Sequence, residues 1–317
     1  HLTRTPDVFT GRPPYQLNAA EEKAFKKHWK EAEDSFHAIR AVFPKAEIYF
    51  GNTVPHMLEE FLRNKFPMEL LDKVGNESGS FMRIPEAQPL DSVGNNAGLW
   101  MHRQILDHYG YKDVALRQCV EIGYPDCNPG NLTERTQAAY YVRHMMHSLA
   151  WQIPVIRPAT ITDMGNSYYN SNWGAAGLCH AWPNVSPKLA YVAFATMTQA
   201  LDGAKFSRAV PTHSTVVYAV EFRKKDKGYV TCLWTPRGTR SLTLEVPGAK
   251  KEKLINMMGR ENEIEFRNRK AQIEISNEPV FLISQKPIES ITPGAATQED
   301  RPAGSSHLIS ALNKMGD

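Results

Sequence analysis

Residues 116–130, LRQCVEIGYPDCNPG, put a charge where an apolar run should be unbroken. Val120 and Ile122 flank Glu121, and Gly123, Pro125, Asn128, Pro129 and Gly130 then break the chain at once. A glutamate at the last inward position of a strand is costly unless it is paired or does chemistry. Held ionised at a rigid strand end, it can act as a nucleophile or a general base. The bland alternative pairs it with a buried arginine, Arg117 or Arg157. Other carboxylates occupy comparable places: Glu77 in VGNES, Glu86 in FMRIPEAQ and Asp163 in ITDMG. Each has a plain reading too, as a solvated loop glutamate or, for Asp163, a turn cap. Arg83 reads as an ion-pair partner for one of them. Aromatic residues cluster along the same stretches: Tyr124, Tyr168, Tyr169, Trp173 and Trp182. NSYYNSNWG, which holds three of them, is too polar to be pure core. His180, beside Trp182, reads as a structural histidine.

The elements that must position these groups alternate. Residues 19–44 repeat Phe25, Trp29, Ala32, Phe36, Ile39 and Val42/Phe43 at helical steps, and Pro44 ends the run. EIYFGN (47–52) reads as a short buried strand. Helices are expected at 54–66, 95–109 and 133–151, and strands near 72–74, 114–124 and 154–165. Strands separated by single helices are the pattern of βα units and a parallel sheet. Beyond one more helix at 188–201 the period changes to two. Seven short runs from 214 to 286, among them GYVTCLWTPRG and KAQIEIS, predict an antiparallel sandwich. The tail, TPGAATQEDRPAGSSH, reads as a linker or mobile arm.

Composition excludes several classes. The chain has 317 residues, 42% hydrophobic and 22% charged, which suits one large or two ordinary domains. Its net charge of +3 is small and its basic residues are scattered, so nucleic acid is not an expected partner. No apolar run approaches the ~18 residues of a membrane span. No Gly-rich phosphate loop follows any strand. Cys119, Cys127, Cys179 and Cys232 lack zinc spacing and read as free thiols, with a Cys119–Cys127 bridge as the alternative. No metal or cofactor is expected. Sequons start at Asn76, Asn131 and Asn184. HLTRTPDVF carries neither an initiator methionine nor a signal peptide, so His1 is read as a break in a longer chain.

The ordered series IYFGN, VEIGYPD, TQAAYYVRHMMHSLAW, DMGNSYYNSNWGAAGL, PKLAYVAFATMTQALDGAKF, then VTCLWTPRG and LINMMGRE, resembles the second half of a clan A retaining glycoside hydrolase. These are (β/α)8 TIM barrels, and the layout is similar to the family 39 and family 5 branches with a C-terminal β-sandwich. The resemblance implies that 47–52, 70–86, 114–124 and 154–165 are strands five to eight. It implies Glu121 as the nucleophile. Glu77, Glu86, Tyr124, Asp163, Tyr168 and Trp173 would bind a carbohydrate substrate from the C-terminal strand ends, since sugar C–H faces pack on aromatic rings. The acid/base Asn-Glu pair would precede His1; none occurs within residues 1–50. Residues 1–205 would be half a barrel, 206–290 the sandwich and 291–317 a flexible tail. A half barrel exposes strand edges, so residues 47–51 are expected to pair with a strand from outside this sequence. A secreted, periplasmic or cell-surface location fits a glycosidase. Two other readings stand: a non-catalytic carbohydrate-binding or structural protein on the same fold, and a lyase or isomerase with Glu121 as base on a complete smaller sheet.

Overall fold

The computed structural model describes residues 18–53, 55–76, 84–86, 99–118, 123–126, 132–150, 152–153, 158, 160–164 and 174–295. The chain divides into two compact units, one from residues 1–79 and 88–120, the other from 80–87 and 121–317.

The first unit is built of βα repeats. Helix α1 (Ala19–Val42) starts at Asn18, whose side chain accepts from the Ala20 and Glu21 amides while Glu21 accepts from the Asn18 amide. This reciprocal cap satisfies N–H groups that the first turn leaves unpaired. Phe25, Trp29 and Phe36 of α1 pack against Phe61 and Phe66 at ring separations of 5.2–6.2 Å. Lower on the same stripe, Ile39, Val42 and Phe43 are exposed, which departs from the expected core face. Strands β1 (Tyr49–Thr53), β2 (Lys73–Asn76) and β3 (Ala115–Gln118) form a parallel sheet in that order. Helices α2 (Pro55–Arg63) and α3 (Leu99–His108) lie between them in sequence, as crossover helices must for parallel neighbours. Asp72 ties the strand starts to α1: its Oδ2 accepts from Arg40 at 2.6 Å and from the Ile48 amide at 2.7 Å. Arg103 does the same for α3, donating to Asp107 and to the carbonyls of Tyr111 and Val114. The first three expected strands are therefore present and parallel. The described part of 154–165 shows only isolated bridging, with Thr162 beside Cys179, not a fourth strand.

The second unit is organised by one sheet whose strands 218–223 and 229–234 are buried on both faces. Strands β4 (Lys205–Ala209), β5 (Tyr218–Arg223), β6 (Tyr229–Trp234), β7 (Thr239–Glu245), β8 (Lys251–Asn256), β9 (Glu261–Glu265), β10 (Lys270–Ser276), β11 (Val280–Ser284) and β12 (Ser290–Pro293) form two antiparallel sheets. Their orders are β4-β5-β6-β11-β8-β9 and β10-β7-β12. Alternation assigns the faces. Val220, Phe222, Val230, Cys232, Trp234 and Phe281 turn toward helices α4 (Glu134–Ala150) and α5 (Leu189–Ala200). Ala219, Leu233 and Leu282 turn toward Leu242, Leu244, Ile273, Ile275 and Ile291 of the smaller sheet. The antiparallel region was expected at 214–286, but β4 and β12 extend it at both ends. Helix α4 is buried from Gln137 to Ser148, and several of its polar side chains, Gln137, Arg143 and His144 among them, find partners inside.

Candidate functional site

Glu121, Glu77, Tyr168 and Trp173 lie outside the described residues. The structure does place Glu86, Tyr124 and Asp163, and each is held in the interior of the second unit.

Glu86 was expected to face sugar. Instead it grips Arg143 of α4 with both carboxylate oxygens, the Arg143 Nε–H donating to Oε1 at 2.7 Å and an Nη2–H to Oε2. The Trp234 indole N–H also donates to Oε1 at 2.7 Å. The Glu86 side chain is 4% exposed and that of Arg143 0%. Burial alone would raise the carboxyl's pKa; the Arg143 guanidinium outweighs it and holds Glu86 well below the usual carboxylate range. His147 Nε2 sits 3.8 Å from Oε1, too far for a hydrogen bond. Its ring meets Trp234 and Tyr218 edge-on. Tyr218 stacks flat on Trp234, and Arg143 lies 4.8 Å above the Tyr140 ring. This polar cluster joins α4 to the larger sheet.

Tyr124, expected among the sugar-binding residues, is also held in the interior. Its ring is fully buried, edge-on to Tyr140 and Tyr141, so no face is free to stack on a sugar. Its hydroxyl is 2.9 Å from His144 Nδ1. Burial, reinforced by nearby His147, depresses the His144 pKa to about 3, so the ring is neutral at physiological pH. Gln137 donates to the Tyr124 carbonyl at 2.6 Å and to the Ala175 carbonyl at 3.0 Å, and the Tyr141 hydroxyl donates to the Ala176 carbonyl. The buried side of α4 thus clamps the chain just after Glu121 and the chain at 175–176.

Asp163 joins a third arrangement. Its Oδ1 accepts from the Gly177 amide at 2.8 Å and from Lys188 Nζ at 2.9 Å, and its Oδ2 lies 2.8 Å from the same ammonium. Lys188 also donates to Asp126 at 3.0 Å and to the Ala175 carbonyl at 3.3 Å. The Lys188 side chain is completely buried, between two carboxylates. One cation cannot neutralise both, and burial raises the Asp126 pKa despite the pull of Lys188. Gly177 is required here: a β-carbon would come within 2.5 Å of the Asp163 amide nitrogen. The sequence reading missed Lys188, Asp126 and Arg143. Arg143 had a legible signal, a lone cation inside AAYYVRHMMHSLA that must be paired if the helix is buried.

Cys179 and Cys232 are buried and free, as expected. The described residues contain no cluster suited to a metal ion, and no described helix is long and apolar enough to cross a membrane.

No protein-family model and no curated protein matches the chain. Solved structures do. A family 39 glycoside hydrolase from the gut symbiont Bacteroides cellulosilyticus WH2 aligns with TM-score 0.57 and 18% identity, over 71% of this chain and 46% of its own. At that identity the likeness is one of fold. A family 51 arabinofuranosidase from Xanthomonas axonopodis pv. citri (TM-score 0.48, 13% identity, 75% and 57% covered) is too distant to carry an argument. So is the family 30 xylanase C catalytic domain from Talaromyces cellulolyticus (0.44, 10%, 78% and 54%). The chain spans about half the length of these matches.

Proposed function

We propose that this chain is the nucleophile-bearing part of a retaining glycoside hydrolase. Residues 1–205 form the C-terminal half of its barrel and 206–290 an appended sandwich. The observation that carries this reading is the local setting of Glu121. A parallel strand, β3, ends three residues before it, and the chain three to five residues after it is held by Gln137, His144 and Lys188. Attack on an anomeric carbon requires a carboxylate with little freedom to move. Glu121 forms the glycosyl ester as the C–O bond to the leaving group breaks. A second carboxyl about 5–5.5 Å away protonates the leaving oxygen, then activates the water that cleaves the ester. That acid/base comes from a strand outside this sequence. The edge of β1 opposite β2 carries no strand among the described residues, and Val42 and Phe43 are exposed on the preceding helix. Glu77, Tyr168 and Trp173 contact the sugar. Glu86, Tyr124 and Asp163 support the site without touching substrate.

The test uses the full-length gene product. Glu121→Ala should lose at least about 10³-fold in kcat. Azide should restore turnover and give a glycosyl azide of inverted anomeric configuration, because it attacks the face the missing carboxylate would have used. A Glu121→Ala protein with activity within tenfold of the parent would refute the assignment.

A further inference from the structure

Trp182 is 79% exposed, the most exposed of the large hydrophobic side chains described. It is not on a frayed segment. Residues 178–188 fold back as a short hairpin: Cys179 bridges Pro187, the His180 amide donates to the Ser186 carbonyl at 2.9 Å, and the Lys188 amide to the Leu178 carbonyl at 3.0 Å. The foot of the hairpin is fixed twice more. Cys179 exchanges backbone hydrogen bonds with Ile161 and Asp163, and the Lys188 side chain is buried between Asp126 and Asp163. A rigid support that holds an indole in water keeps about its full hydrophobic surface available, at a cost that core packing would have avoided. Two residues before Trp182, His180 Nε2 lies 3.4 Å from a carboxylate oxygen of Glu134, the first residue of α4, and both side chains are partly exposed.

An exposed indole on the same hairpin as a partly solvated imidazole, itself paired with a carboxylate, suits one ligand chemistry well. A pyranose ring offers an apolar C–H face to stack and equatorial hydroxyls to donate and accept. We propose that Trp182, with His180 and Glu134, forms a carbohydrate-binding site that holds a sugar unit of an extended glycan. This rests on the glycosidase reading for the ligand class, while the site itself rests on the hairpin.

The experiment uses the full-length protein made in a host that does not N-glycosylate, because exposed Asn184 begins a sequon beside Trp182. Binding of cello-, xylo-, manno- and arabino-hexaose is followed by calorimetry for the parent, Trp182→Ala and Trp182→Tyr. At least one hexaose should bind the parent. Trp182→Ala should weaken it about tenfold and Trp182→Tyr much less, the size expected for one aromatic contact. On a polymeric substrate Trp182→Ala should raise KM without changing kcat; on an aryl monoglycoside it should change neither. Equal binding by Trp182→Ala and parent overturns the site. So does Trp182-dependent self-association in sedimentation without sugar binding. If hexaoses fail to bind but Glu121→Ala still shows azide rescue, this site falls and the catalytic reading stands. If Trp182-dependent binding is seen but Glu121→Ala keeps its activity, the reverse holds.

Discussion

Replacing Glu86 with glutamine separates a structural carboxylate from a sugar-binding one. The change keeps shape and an acceptor for the Trp234 indole but removes the negative charge facing Arg143. Arg143 is fully buried and receives Glu86 on two of its nitrogens, so it cannot recover hydration. Breaking one side of a buried pair costs about 3–5 kcal/mol, a large part of the ~5–15 kcal/mol that a domain has. In a unit of this size that lowers Tm by on the order of 10 °C. Chemical denaturation followed by far-ultraviolet circular dichroism measures it. The double variant Glu86→Leu with Arg143→Met should recover at least half of the loss, since neither charge is then stranded. The reasoning is refuted if Glu86→Gln costs less than about 1 kcal/mol, and more so if it leaves stability intact but weakens sugar binding.

Acid should destabilise the second unit through His144. Its folded pKa, about 3, lies below the ordinary 6.5, so the unfolded chain binds more protons between those values. Stability is therefore complete above about pH 6.5 and falls toward pH 3, by at most about 1.4 kcal/mol per pH unit. His144→Gln, which keeps an acceptor for Tyr124, should flatten that slope in denaturation measured from pH 7 to 4. Glu86 adds loss in the same direction, starting near its ordinary 4.5, whereas the raised pKa of Asp126 works oppositely, favouring the fold at lower pH. Lys188→Met should cost about 3–5 kcal/mol by leaving Asp126 and Asp163 buried without a cation, and Asp126→Asn should return part of it in a double-mutant cycle. Gly177→Ala should lower Tm measurably in calorimetry, because the backbone of Asp163 must move to admit the methyl group.

Much of the architecture was legible because its signals are local. The helical period at 19–44 and the apolar strands at 47–52 and 114–124 gave the βα order, and the period-two runs from 214 onward gave seven antiparallel strands. The eighth and ninth escaped: KFSRA in β4 is mostly polar, and β12 is a four-residue strand with a proline at its end. The interior of the candidate site was less legible. Glu86 in a polar-looking loop and Tyr124 after a turn carry no local mark of burial; their partners, Arg143 and Trp234 for one and Gln137 and His144 for the other, lie many residues away. Lys188 looked like an ordinary residue before a helix, and its burial depends on Asp126 and Asp163 approaching from two other loops. Trp182 was noticed for its type, while its exposure and its hairpin are properties of the folded chain.

As the proposed nucleophile, Glu121 forms a covalent bond to the sugar. The direct measurement treats the full-length protein with a panel of activated 2-deoxy-2-fluoro glycosides, which form the glycosyl ester readily and hydrolyse it slowly. Mass spectrometry of the intact protein, followed by peptide mapping, locates any adduct. The account predicts one glycosyl group per chain, on the peptide containing VEIGYPD and on Glu121 within it. Labelling of another carboxylate, Glu77 or Glu86 included, or time-dependent inactivation with Glu121 unmodified, would contradict it.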